Sequence, residues 1–148
     1  SYPFKICFPG VRLHLSKLDN LEESLKKKFI CNLGLGHGFD NDAAIKISNA
    51  LKINSTIKTI DLSGNEIGNK GAIAISDLLK INTTIKNSDL SDNEIGAEGS
   101  IAIGDALKLN TTIEKINLKL NLVQVYVFTY SKTMACLYNK ISIFGSNH

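Results

Sequence analysis

The sequence predicts an α/β fold: a short right-handed solenoid, shaped as a partial horseshoe, with a parallel sheet on its concave side and helices on its convex side. Three observations carry this. Residues 57–84 (IKTIDLSGNEIGNKGAIAISDLLKINTT) and 85–112 (IKNSDLSDNEIGAEGSIAIGDALKLNTT) are two copies of one 28-residue unit, identical at 19 positions. Inside each copy the apolar period changes from two to a helical spacing. A unit this short cannot enclose a core, so each copy must lay its apolar face against the next.

Taken in chain order, residues 1–29 read as a cap or a degraded repeat. Pro3 and Pro9 interrupt the apolar start and no initiator Met is present, which argues against a signal peptide and suggests a fragment or a processed product. The stretch 16–29 (SKLDNLEESLKKKF) opens on a Ser-x-x-Asp capping pattern and carries Leu18, Leu21, Leu25 and Phe29 on one helical face. Its Lys26–Lys28 run suits the negative end of a helix dipole.

The array then spans residues 30–123, divided as 30–56, 57–84, 85–112 and a partial copy 113–123. Ile57, Ile60 and Leu62 alternate with Asp61 and Ser63, as in a short strand with one buried face. From Gly71, the residues Ala72, Ile75 and Leu79 recur at helical spacing, with Lys70, Asp77 and Lys80 on the other side. Asn65, Asn93 and Asn121 fall at the same point after each strand, where the chain turns inward and leaves backbone groups unpaired. An amide side chain both donates and accepts, so these three are expected to form a structural asparagine ladder joining successive turns.

These residues resemble the leucine-rich repeat family, in the subtype of ribonuclease inhibitor and of the sensor regions of NOD-like receptors. The pattern LxxLxLxxNxIxxxGxxxLxxxL is matched by Ile57, Ile60, Leu62, Asn65, Ile67, Gly71, Ile75 and Leu79, and again by Ile85, Leu90, Asn93, Ile95, Gly99, Ile103 and Leu107. Two departures predict local weakness: Ser88 in an apolar strand position, and Gly38 in place of the first ladder asparagine.

The tail 124–148 departs from the repeat. Five of the ten aromatic residues lie there, position 127 is Val where the repeat has Gly, and LVQVYVFTY is rich in β-branched and aromatic residues, as strands are. It reads either as a cap over the last repeat's apolar edge or as unrelated sequence.

Composition excludes several function classes. The net charge of +3 divides into basic ends and an acidic middle, residues 57–112 carrying eight Asp/Glu against five Lys/Arg. Arg12 is the only Arg, so the forked donor suited to phosphates and guanines is nearly absent and no nucleic-acid partner is expected. No apolar run approaches the roughly 20 residues of a membrane helix, and no membrane partner is expected. His14, His37 and His148 are scattered, and the glycines of LGLGHG are not followed by Gly-Lys-Ser/Thr. No catalytic residue, metal ligand or cofactor is therefore assigned. Cys7, Cys31 and Cys136 form no local pair, which points to free thiols in a reduced compartment and a cytoplasmic location. The sequons at Asn54, Asn82 and Asn110 follow the repeat; turn geometry, with Asn in the left-handed position after each helix, accounts for them.

Function is expected on the concave face, from side chains alternating with the buried Ile and Leu. Register assigns Asn32, Gly34 and Gly36 in the first repeat, then Thr59, Asp61 and Ser63, then Asn87, Asp89 and Ser91, and finally Lys115, Asn117 and Lys119. The row Gly34, Asp61, Asp89, Asn117 makes an acidic centre. Four strands about 17 Å long at roughly 4.8 Å spacing cover only some 250 Å², against about 800 Å² per partner in a standard interface, so loops, edges or further repeats must contribute. The family resemblance implies a non-enzymatic protein-interaction module binding another protein. A second reading is a regulator of a small GTPase, since Ran GTPase-activating proteins share the subtype.

Overall fold

In the computed structural model the described residues are 12–25, 30–122 and 141–142. Strands and helices alternate: β1 (Arg12–Leu15), α1 (Leu21–Leu25), β2 (Asn32–Leu35), α2 (Asn41–Leu51), β3 (Thr59–Asp61), α3 (Asn69–Ile81), β4 (Asn87–Asp89), α4 (Ala97–Leu109), β5 (Lys115–Asn117) and β6 (Ile141–Ser142). The strands form a single sheet in chain order, each paired parallel with the next. This is the α/β solenoid that the repeat predicts, with the sheet on one side and the helices on the other.

The joins from β2 to β3, β3 to β4 and β4 to β5 share one starting geometry. At the start of each, one carbonyl accepts two successive N–H groups from the next repeat: Cys31 takes Lys58 and Thr59 at 2.7 and 3.1 Å, and Lys58 takes Lys86 and Asn87 at 2.8 and 3.1 Å. Regular ladder pairing begins only after that shared acceptor. Register is unambiguous thereafter, with Thr59 opposite Asn87 and Lys115, Ile60 opposite Ser88 and Ile116, and Asp61 opposite Asp89 and Asn117.

The core is one continuous cluster running the length of the stack. Ile57, Ile60, Leu62, Ile67, Ala72, Ile75 and Leu79 are buried, as are Ile85, Leu90, Ile95, Ile103 and Leu107 one repeat later. The motif glycine is required by helix spacing. A Cβ on Gly71 would lie 2.7 Å from Ile67 Cγ2 and 2.9 Å from the Cβ of Ala44 on the preceding helix; on Gly99 it would lie 2.8 Å from the Cβ of Ala72. Neither neighbour has room to retreat in a close-packed interior.

Several expectations are corrected. The N-terminal helix begins at Leu21, not at Ser16: Asn20, at φ 62°, ends a turn in which the Leu21 N–H donates to Leu18 O at 3.1 Å. Ser16 is therefore not the N-cap of this helix. Ahead of it lies a strand that the 28-residue interval does not predict, β1, in register with β2. Asn82 and Asn110 follow their helices in extended conformation, φ −78° and −80°, rather than left-handed, because their side chains are drawn back towards the preceding repeat. Cys31 is buried and disulfide-bonded. The free-thiol expectation fails there, since sequence spacing reveals only local pairs, and the inference of a reduced compartment loses that support. Cys7 and Cys136, the Lys26–Lys28 run and LVQVYVFTY from Val123 onward lie outside the described residues.

Candidate functional site

The concave face is built by strand alternation. Ile60, Ser88 and Ile116 point into the core, so their neighbours on either side point out. Thr59, Asp61, Asn87, Asp89 and Asn117 are half-buried and Lys115 is exposed. Asn32 is half-buried as well, whereas Gly34 is buried within the sheet. Ser63, Ser91 and Lys119 stand at the strand exits, half-buried.

Two rows cross the face. One runs Asn32, Thr59, Asn87, Lys115 and the other Gly34, Asp61, Asp89, Asn117. Both extend further than sequence reasoning placed them, because β1 sets Arg12 opposite Asn32 and the exposed His14 opposite Gly34, and β6 sets Ser142 opposite Asn117. The signal for β1 was present in RLHL, where polar Arg12 and His14 alternate with Leu13 and Leu15. Its distance from the next strand is shorter than the 28-residue spacing, so it escaped the repeat.

The acidic centre is held in a fixed pose. The Asp61 carboxylate accepts from Ser63 N at 3.2 Å and Ser63 Oγ at 2.7 Å; Asp89 repeats this with Ser91 at 3.0 and 2.6 Å. Asn117 Oδ1 accepts from Lys119 N at 3.1 Å in the same way. Each is a side chain closing the turn that ends its own strand. Asn117 Nδ2 also donates to Asp89 Oδ2 at 3.1 Å, tying the third and fourth repeats. Oδ1 of each carboxylate is thus committed to the turn that ends its strand, and Asp89 Oδ2 to the amide of the next repeat.

Beneath the rim, three columns of asparagine hold the stack rigid. Asn65, Asn93 and Asn121 close the strand-to-helix turns: Asn93 Nδ2 donates to Leu62 O at 2.7 Å, Asn121 Nδ2 to Leu90 O at 2.7 Å, and their Oδ1 atoms accept from Ile67 N at 3.3 Å and Ile95 N at 2.9 Å in the preceding repeat. At Gly38, φ +85°, the first repeat has no amide to offer, yet Phe39 N donates to Asn65 Oδ1 at 3.0 Å and His37 Nδ1 lies 2.9 Å from Gly64 O. The second column, Asn54, Asn82 and Asn110, does the same at the opposite edge. Asn82 Nδ2 reaches Leu51 O at 3.0 Å and Asn110 Nδ2 reaches Leu79 O at 2.6 Å, while their Oδ1 atoms accept from Ile85 N and Ile113 N. The sequon amides are spent on these bonds.

The third column supplies helix caps from a neighbouring repeat. Gly68 and Gly96 begin α3 and α4 without a side chain to cap them. Asn41 Oδ1 accepts from Gly71 N at 2.6 Å, and Asn69 Oδ1 accepts from Gly96 N and Gly99 N at 2.9 and 3.0 Å. Gly71 N and Gly99 N are the third-position N–H groups that an N-cap side chain ordinarily satisfies, and Gly96 N belongs to the N-cap residue itself.

Among the described residues no group of three or more His, Cys, Asp or Glu side chains is placed to hold a metal ion. What the face offers is a rigid, polar surface with fixed hydrogen-bonding groups. Its size is modest: six strands, mostly three or four residues long, span roughly 24 Å by 10–13 Å, or about 250–300 Å².

Comparison with known proteins agrees with this architecture. The structure of Leiomodin-1 Actin-Binding Site 2 superposes with a TM-score of 0.65 at 18% sequence identity, covering 87% of this chain and 78% of that one. No curated protein matches the sequence. The family model described as Leucine Rich repeat matches residues 54–76 and 82–104, and these two segments, which supply β3 and β4 with most of α3 and α4, are leucine-rich repeats.

Proposed function

We propose that this chain is a non-enzymatic protein-interaction module whose concave face, centred on Thr59, Asp61, Asn87 and Asp89, binds another protein. The single observation that carries the reading is the contrast on the sheet. One face is entirely spent on the core, while the other keeps a row of carboxylate, amide and hydroxyl groups fixed by turns and by interlocked repeats. Groups held in one pose lose little conformational entropy on binding, and this is what makes a small polar face useful for recognition. The repeats are of the ribonuclease-inhibitor-like subtype on this reading, with Asn32 and the Lys115, Asn117, Lys119 corner flanking the acidic centre and Ser63 and Ser91 at its rim. No described feature favours the small-GTPase reading.

The test separates the concave face from the rest of the surface. Thr59→Arg with Asn87→Arg places two bulky cations on the face without touching the turns, and Lys46→Glu alters the exposed side of α2 instead. Proteins retained by the wild-type chain are compared with those retained by each variant. Actin is included as a defined probe in co-sedimentation, because the structural neighbour is an actin-binding site; that likeness is one of fold. Partners lost with the concave pair and kept with Lys46→Glu support the assignment, and partners indifferent to the concave pair contradict it.

A further inference from the structure

A second surface recurs with the repeat. Immediately after each helix an aliphatic side chain stands in water: Ile53 is 92% exposed, Ile81 58% and Leu109 69%. Burying them would contribute to stability, yet three successive repeats leave the same position open. Lys52, Lys80 and Lys108 precede them, and Lys58 and Lys86 lie a few residues on, so the segments 52–58, 80–86 and 108–114 together hold five lysines against Glu114 alone.

The opposite edge, where strands pass into helices, has the reverse sign. Asp40, Asp42, Glu66, Asp92, Glu94 and Glu98 are all exposed there, against Lys70 and Lys119. Helix dipoles favour acids at helix starts and lysines at helix ends; Lys80 and Lys108 also pair with Asp77 and Asp105 on their own helices, and Lys86 pairs with Glu114 of the next repeat, which leaves Lys52 and Lys58 as the edge's lysines outside these ion pairs. Those effects account for charge alone. They give no reason for the aliphatic column on the basic edge, nor for Leu120 and Leu122, 78% and 67% exposed beside the acidic one.

We propose that the basic, aliphatic edge of one molecule docks on the acidic edge of a second copy of this chain. Charge complementarity selects the occupant, since the same surface carries both halves of the contact at opposite edges. Such a contact is heterologous and does not close on itself, so it builds open chains of molecules rather than a dimer. Three repeats at helix spacings of 8–10 Å make an edge only about 25–30 Å long, small for the roughly 800 Å² per partner of a standard interface, and the association is correspondingly weak.

Sedimentation equilibrium of the whole chain over a wide concentration range tests this, independently of the concave-face reading. At about 0.01 M salt, where charges act over about 30 Å, the weight-average mass rises with concentration past that of a dimer; at about 1 M, where they act over about 3 Å, it falls back towards the monomer. Ile53→Gln/Ile81→Gln/Leu109→Gln weakens association about tenfold or more, and so does Lys52→Glu/Lys58→Glu, which leaves the aliphatic column and the Lys86–Glu114 pair intact. Circular dichroism confirms that both variants are folded. A wild-type chain that stays monomeric throughout, a mass that stops at a dimer, or either variant associating like the wild type overturns the proposal.

Discussion

Ser88 shows how much one residue reveals about this molecule. It occupies the strand position held by Ile60 and Ile116 in adjacent repeats, is 4% exposed, and its hydroxyl has no hydrogen-bond partner. An unpaired buried hydroxyl costs about 1–3 kcal/mol. Ser88→Ile is therefore expected to raise stability by about 1–3 kcal/mol in chemical denaturation, with an unchanged concave face; an unchanged or lower midpoint would show that the site is too tight for the branched side chain. The departure was legible in the sequence because the copies on both sides define what the position should be. Ser48 and Ser100, also buried with unpaired hydroxyls, carry no such signal: small residues are unremarkable on a helix until the packing of its neighbour is known. Cys31 is a similar case, since its disulfide joins positions that no local spacing connects.

Among the elements, α3 and α4 were readable from helical periodicity and β3 and β4 from alternation, because each pattern repeats at one interval. The elements outside that interval were not. β1 lies nearer its neighbour than the repeat interval, and the capping pattern at Ser16 is a local signal that the Asn20 turn overrides, so that α1 starts at Leu21. The first asparagine column is legible as a ladder, the second reads from sequence only as turn chemistry, and the caps supplied by Asn41 and Asn69 leave no local signal because they act on the next repeat's helix. Asn69→Ala removes the acceptor for Gly96 N and Gly99 N. Losing a helix cap costs about 0.5–2 kcal/mol, so thermal unfolding should show that loss for Asn69→Ala, whereas Lys70→Ala, an exposed neighbour, should stay within about 0.5 kcal/mol of wild type. Equal effects from both would remove the capping role.

For the molecule as a whole, repetition explains why fold was more legible than function. The core is specified redundantly, once per copy, while the concave face carries different residues in each: Thr59, Asn87 and Lys115 share one row with no common chemistry. The far end of the array depends on the tail, since Ile141 and Ser142 pair with Ile116 and Asn117. Deleting residues 123–148 strips that strand and leaves β5 as an open edge, so the shortened chain is expected to melt lower and aggregate more. A shortened chain that is equally stable and soluble would mean the tail contributes nothing to the array.

The central claim, that the sheet face is where another protein binds, is tested most directly by site-specific photo-cross-linking. A photoreactive side chain at Asn87, in the middle of the concave face, is compared with one at Lys46 on the outer side of α2, in the full chain and in the presence of its cellular milieu. The account predicts discrete adducts with a protein other than itself from position 87 and none of the same species from position 46. Adducts formed from position 46 alone would contradict it.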